Sequence, residues 1–100
     1  MDIIYKKLYE IRKEPNMYLG RKSVKLLWMY ISGYTTKEIE INPKYHSSFW
    51  TFGDFVALHY DTNTIFNWSS IIMANTKDDE NAFDKFYKLL DEFLGKSDDN

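Results

Sequence analysis

Two histidines, three consecutive acids and a scatter of serines are the residues of this chain whose chemistry could turn over a substrate. His46 and His59 lie 13 positions apart, with no HExxH spacing and no carboxylates bracketing both, so the sequence assembles neither a zinc site nor a histidine-centred general base. Asp78-Asp79-Glu80 carries enough charge for a cation, but acids in the first turn of a helix are favoured by the helix dipole without any ion. Five serines follow His46, none of them in a Gly-x-Ser-x-Gly elbow. The chain has no cysteine, which removes thiol nucleophiles, thiolate metal sites and disulfides and fits a reducing compartment. These residues define no catalytic constellation, no metal ligand set and no cofactor site, and the expectation is a protein that is not an enzyme.

Binding is the other way to use such a surface. The net charge of −2 hides an asymmetry: residues 1–50 hold nine Lys and Arg against five Asp and Glu, whereas residues 51–100 hold four against ten. In the first half, Lys6, Lys7, Arg12, Lys13, Arg21, Lys22 and Lys25 are interleaved with Tyr5, Tyr9 and Tyr18, the composition of a phosphate-tracking patch. The following helix is apolar on most sides and has few polar side chains to reach base edges, so nucleic acid is not the expected partner. In the second half, the acids offer a face that a basic protein partner would meet with electrostatic steering.

The elements that must position these residues are helical. Ile4, Leu8 and Ile11 follow helix spacing from Asp2 to Lys13, and Glu14-Pro15 ends that segment. Asn16 to Gly20 reads as a turn with Met17 and Leu19 as buried anchors, and either Gly20 or Asn16 is suited to the left-handed region. Ser23 is placed to cap a second helix with Val24, Leu27, Trp28, Ile31 and Tyr34 on one stripe, widened by Leu26, Met29 and Tyr30. Gly33 marks a close helix crossing there or the helix end. A third helix, capped by Ser47 or Ser48, runs to about Tyr60 with Phe49, Phe52 and Val56 inward. Asn67 can cap a short helix from Trp68, although residues 70–74 are equally readable as a short strand. Thr76 caps the last helix, whose stripe is Ala82, Phe83, Phe86, Leu89, Leu90 and Phe93, and Gly95 closes it. The fold expected is an all-α, single-domain orthogonal bundle of four to five helices over residues 1–100, with a frayed tail at 97–100, or an α+β fold if 70–74 is a strand. One hundred residues can remove roughly 60 to 70% of the unfolded-chain surface from water, enough for one core. No apolar run approaches the roughly 20 residues that span a bilayer, and the first residues lack a secretory signal pattern; a soluble cytoplasmic protein is expected.

One stretch carries a family-like signature: Arg12-Lys13-Glu14-Pro15-Asn16-Met17-Tyr18-Leu19-Gly20. It resembles the opening of gyrase-type ATPase domains, but that family follows it with a helix carrying an acid and an asparagine and then an Asp-x-Gly-x-Gly loop. Ser23 to Tyr34 has neither residue, and the four glycines are isolated at 20, 33, 53 and 95. The same stretch, followed by Ile31-Ser32-Gly33-Tyr34, an aromatic segment from Phe49 to Tyr60, Trp68-Ser69-Ser70-Ile71-Ile72 and the helix Ala82 to Phe93, is similar in order to small bacterial immunity proteins of polymorphic or contact-dependent toxin systems. Asn16 departs from the glycine more usual there.

That resemblance implies an all-α protein that neutralises a cognate toxin domain, a nuclease among the expected targets, by occluding its active site or substrate groove. The contact face expected on that basis draws on Asp54, Asp61, Asp78, Asp79, Glu80 and Asp84, with the rings of Tyr60 and Tyr87 as exposed anchors. The alternatives are a small nucleic-acid-binding module that uses the basic first half, and a non-catalytic adaptor. The chain itself is expected to be a monomer or a weak homodimer.

Overall fold

In the computed structural model, which describes residues 2–63 and 65–95, helix α1 (Ile3–Lys13) begins where the Asp2 carboxylate accepts the Ile4 N–H at 2.9 Å. Glu14 leaves the helical region ahead of Pro15, at φ −133° and ψ 60°. Pro15 then starts α2 (Pro15–Leu19) from the first helical position, where its missing N–H has no partner to lose. The joint read as a turn is therefore itself a short helix. Gly20 closes it at φ +85°, its N–H on the Asn16 carbonyl at 2.9 Å, while Asn16 stays helical. Helical geometry also separates the two expected anchors: residues two apart point about 200° apart around the axis. Leu19 packs against the core, and Met17 is turned outward with 68% of its surface exposed.

Ser23 caps α3 (Val24–Ile41), accepting the Leu26 N–H at 3.0 Å. Only Val24, Leu27 and Ile31 of its apolar belt are buried; Trp28, Tyr30 and Tyr34 are half-buried and Met29 is exposed. Gly33 neither ends this helix nor marks a crossing, because a Cβ built there would meet nothing within 4 Å. Ser47 caps a one-turn 3-10 helix (Ser48–Thr51) that runs directly into α4 (Phe52–His59). The exit from α4 is a Schellman arrangement, with Thr62 N–H on the Ala57 carbonyl at 2.9 Å and Asp61 N–H on the Leu58 carbonyl at 3.2 Å. Asp61 takes the left-handed position at φ +52° that glycine fills in most such ends.

Residues 70–74 are helical, within α5 (Trp68–Ala74), because Asn67 accepts the Ser70 N–H and fixes the first turn. Helix α6 (Asp79–Phe93) is capped by Asp78, through the Asn81 N–H at 2.8 Å. Thr76, expected in that role, instead donates its hydroxyl to the Ile72 carbonyl at the end of α5. Gly95, at φ +76°, follows the last turn of α6. The tail expected to fray at 97–100 lies outside the described residues. There are six α-helices, one 3-10 turn and no strand among the described residues, and no helix there is long and apolar enough to cross a membrane.

The buried side chains form one cluster reaching from Ile4 to Leu90. Helix α6 lies at its centre, packed on α3, α4 and α5. Phe52 and Phe86 meet edge to face at 5.2 Å, Phe49 stacks on Phe52 at 5.2 Å, and Trp68 lies 4.7 Å from Phe86. Phe86→Ala should lower the unfolding free energy by about 3 to 5 kcal/mol, since the ring is fully buried among neighbours that cannot collapse onto the gap. Gly33→Ala should raise it by roughly 0.5 to 1 kcal/mol, there being open space for the methyl group. Denaturant titration of the two variants beside the parent chain measures both.

Candidate functional site

The acids of the second half do not assemble into one face. Asp79, in the first turn of α6, accepts the Val24 N–H at 2.9 Å and the Lys25 N–H at 3.3 Å, so its carboxylate caps the start of α3 across the fold. Arg21 approaches the same carboxylate at 3.8 Å, and Asp84 is paired with Lys22 at 2.7 Å. Asp78 caps its own helix, and Glu80 is exposed beside it. Asp54 lies elsewhere, facing Ile31 and Thr35 of α3, about 10 Å or more along that helix from Val24. Asp61 sits at the far end of α4 in the backbone role described above.

Of the two rings expected as exposed anchors, Tyr87 is buried and Tyr60 is half-buried. Tyr87 is 2% exposed, donates its hydroxyl to the Leu8 carbonyl at 2.7 Å and is covered by the Arg12 guanidinium 5.1 Å above its ring. Burial pushes its phenol well up, and the nearby guanidinium offsets part of that. Its position four residues after Phe83 places it on the buried stripe of α6. Tyr60 is half-buried against His59, and its hydroxyl is enclosed without a hydrogen-bond partner among the described residues. Part of the basic patch is engaged within the fold. Lys7 is held by Glu10 at 2.8 Å and lies over the Tyr18 and Tyr34 rings, and Arg12 makes a two-pronged contact with Asp91 at 3.0 and 3.1 Å. No group of three or more histidines and carboxylates among the described residues is placed to hold a metal.

What the fold does assemble is a groove between α3, the 3-10 turn and the start of α5. It has a volume of about 470 Å³. Its floor is Ile31, Phe49 and Trp68, whose other faces belong to the core, and its rim is Trp50, Asp54 and Phe66. Trp50 is 37% exposed and Phe66 54% exposed. A second depression of about 530 Å³ shares Asn67 with the first and continues along α5 between Trp28, Met29 and Met73. Met29 and Met73 are 56% and 38% exposed. The result is two adjoining depressions in which aromatic and methionine side chains alternate with Ser32, Thr35, Asn67, Ser69 and Ser70, with one acid, Asp54, lining the first and one base, Lys25, lining the second. In the sequence, Trp28 and Met29 belong to the α3 belt, and Trp50, Phe66 and Met73 fall on no functional motif. Trp50 follows the buried Phe49 and precedes the buried Phe52, a position on the outer side of its turn, and that was the available signal.

The rim is fixed from α1. The Tyr45 hydroxyl donates to the Asp2 carboxylate, and the Tyr5 and Ser48 hydroxyls are 2.7 Å apart, so the segment before the 3-10 turn is hung from the first helix. Trp50 is then bracketed edge-on by Tyr45 at 5.8 Å and His46 at 6.4 Å. Burial works against ionisation of Asp2, but hydrogen bonds from Tyr45, Ser47 and the Ile4 N–H outweigh it and hold the carboxyl below its ordinary value of 3.8. Burial and the hydrogen bond to Asp2 push the Tyr45 phenol up to about 12.

Comparison of the chain with protein families, with curated proteins and with solved structures returns no significant match.

Asp79→Ala should cost about 1 kcal/mol of stability by uncapping α3, whereas Asp54→Ala should fall within about 0.5 kcal/mol of the parent; thermal or denaturant unfolding separates them. The Asp2–Tyr45 bond gives a pH signature. With a depressed carboxyl pKa, the Asp2 contribution is present above 3.8 and is lost as pH falls through the lower folded value. With a raised phenol pKa, the Tyr45 contribution is full below 10.0 and is lost as pH rises toward about 12. Tyr45→Phe should therefore flatten both limbs of the stability–pH curve relative to the parent chain, as read from melting temperatures.

Proposed function

We propose that the chain is a non-catalytic inhibitor of the immunity type, which binds a cognate toxin domain and covers its active site or substrate groove. The observation that carries this reading is the pair of depressions along α3 and α5, where Trp50, Phe66, Met29 and Met73 are exposed and the charged lining is Asp54 and Lys25. Exposed apolar side chains gathered in this way mark protein contact sites, and aromatic residues with methionine are enriched at the centres of interfaces while acids and lysines are depleted. The ordered similarity to small immunity proteins supplies the kind of partner. On this reading the contact centres on the groove beside Asp54, one of the acids expected in the contact face. Asp78, Glu80 and Asp84 then act at most as a charged margin that speeds encounter.

The nucleic-acid reading has less support, because Lys7, Arg12, Arg21 and Lys22 all approach carboxylates of the chain itself.

The test is binding of the purified chain to the toxin domain encoded beside its gene, with growth rescue on co-expression as the functional readout. Trp50→Ala and Phe66→Ala should each weaken binding by about 30-fold or more, the size of a hot-spot loss of 2 kcal/mol. Asp84→Ala should change it little. Loss of binding on Asp84→Ala with none on the aromatic changes would return the contact to α6, and no binding to the toxin domain would end the reading.

A further inference from the structure

The connection between α3 and the 3-10 turn is held to the fold at few points. Of residues 35–46, Ile39 and Ile41 are exposed, and Tyr45 is the hydrophobic side chain that packs against the core. Asn42, Pro43, Lys44 and His46 are exposed as well. A stretch with so little buried apolar contact opens at a lower free energy than the core beneath it, so polar contacts decide how often it opens. Here those contacts converge on one carboxylate. Asp2 accepts hydrogen bonds from the Tyr45 hydroxyl and from Ser47, which is 1% exposed, as well as from the Ile4 N–H at 2.9 Å. Ser47 in turn accepts the Phe49 N–H on its hydroxyl at 3.1 Å and the Trp50 N–H on its carbonyl at 3.1 Å. The first turn of α1, residues 42–47 and the turn that carries Trp50 therefore meet in a single charged group. Beyond the segment, Ser48 is tied to the buried Tyr5 by hydroxyls 2.7 Å apart, and Phe49 is buried. Asn42 and Ser47, both in non-helical backbone, are the places where the segment can hinge.

We propose that residues 42–47 are a hinged strap latched by Asp2, and that releasing the latch frees the strap and the Trp50 side of the groove together while the rest of the fold stays closed. Lifting the strap takes the Tyr45 ring from the edge of Trp50, where it stands at 5.8 Å, and breaks the two bonds that Ser47 makes to the Phe49 and Trp50 amides. The latch is a property of this chain and holds whatever partner the groove receives.

The experiment is amide hydrogen exchange of the full chain followed by NMR at several low denaturant concentrations. The amides of Tyr45, bonded to the Asn42 carbonyl at 2.8 Å, of Phe49 and of Trp50 should share one protection factor. It should be independent of denaturant and at least about 10-fold below those of Phe86 and Leu89, the mark of a local opening. Tyr45→Phe keeps the ring and removes the hydroxyl. Asp2→Ser keeps a cap for α1, but its side chain is one bond shorter and stops short of Tyr45. Each should lower the shared factor by about 10-fold or more, the worth of a hydrogen bond to a charged group, and each should move the Trp50 indole signal while leaving that of Trp28 in place. The double variant should fall no further than the more affected single one, because both changes remove the same bond. Strap amides that exchange only with global unfolding, factors that differ among the three, additive effects of the two substitutions, or an unmoved Trp50 indole would overturn the proposal.

Discussion

The packing of Phe52 against Phe86 is the contact on which the rest of this structure depends. It joins the start of α4 to the middle of α6 at 5.2 Å, and Phe49 and Trp68 then close around it from the 3-10 turn and from α5. Those two rings have two duties. One side of each completes the core, where ring pairs at such distances contribute beyond their area; the other side forms the floor of the groove. The floor of the groove is thus a consequence of how the aromatic core is finished.

The charge asymmetry between the two halves of the sequence has a related explanation. Three ion pairs, Arg12–Asp91, Arg21–Asp79 and Lys22–Asp84, connect the α1-to-α3 region with α6. Each is partly exposed and contributes between nothing and about 1 kcal/mol. Their combined effect is on alignment: they set the rotation of α6, which the backbone cap from Asp79 to Val24 and the Tyr87–Leu8 hydrogen bond also fix. The basic first half and the acidic second half are thus in part complementary to one another, through three pairs.

Helix positions and most caps are legible in the sequence because they rest on one residue and its near neighbours. Ser23, Ser47 and Asn67 cap the helices at which they are expected, and the stripe from Ala82 to Leu90 is buried as its spacing requires. The errors concern what lies between elements. Asp79 looks like one of three surface acids until α3, 55 positions earlier, is brought to it. Tyr87 carries the spacing of a core residue, but its hydroxyl suggests an outward ring, and only the Leu8 carbonyl on another helix resolves that conflict. Met17 was misplaced by treating a five-residue helix as an extended turn. The groove as a whole is not legible locally beyond the outward position of Trp50, since Ile31, Trp50 and Phe66 come from three separate segments.

The separation between floor and rim bears on how such a protein can change over generations. Phe49 and Trp68 are bound to the core, so altering them disturbs folding itself. Trp50, Phe66, Met29 and Met73 are partly solvent-exposed and lie outside the buried cluster, so replacing them disturbs the interior less. If the groove is the contact surface proposed above, its specificity can drift by exchange of rim residues while the residues of the floor stay fixed.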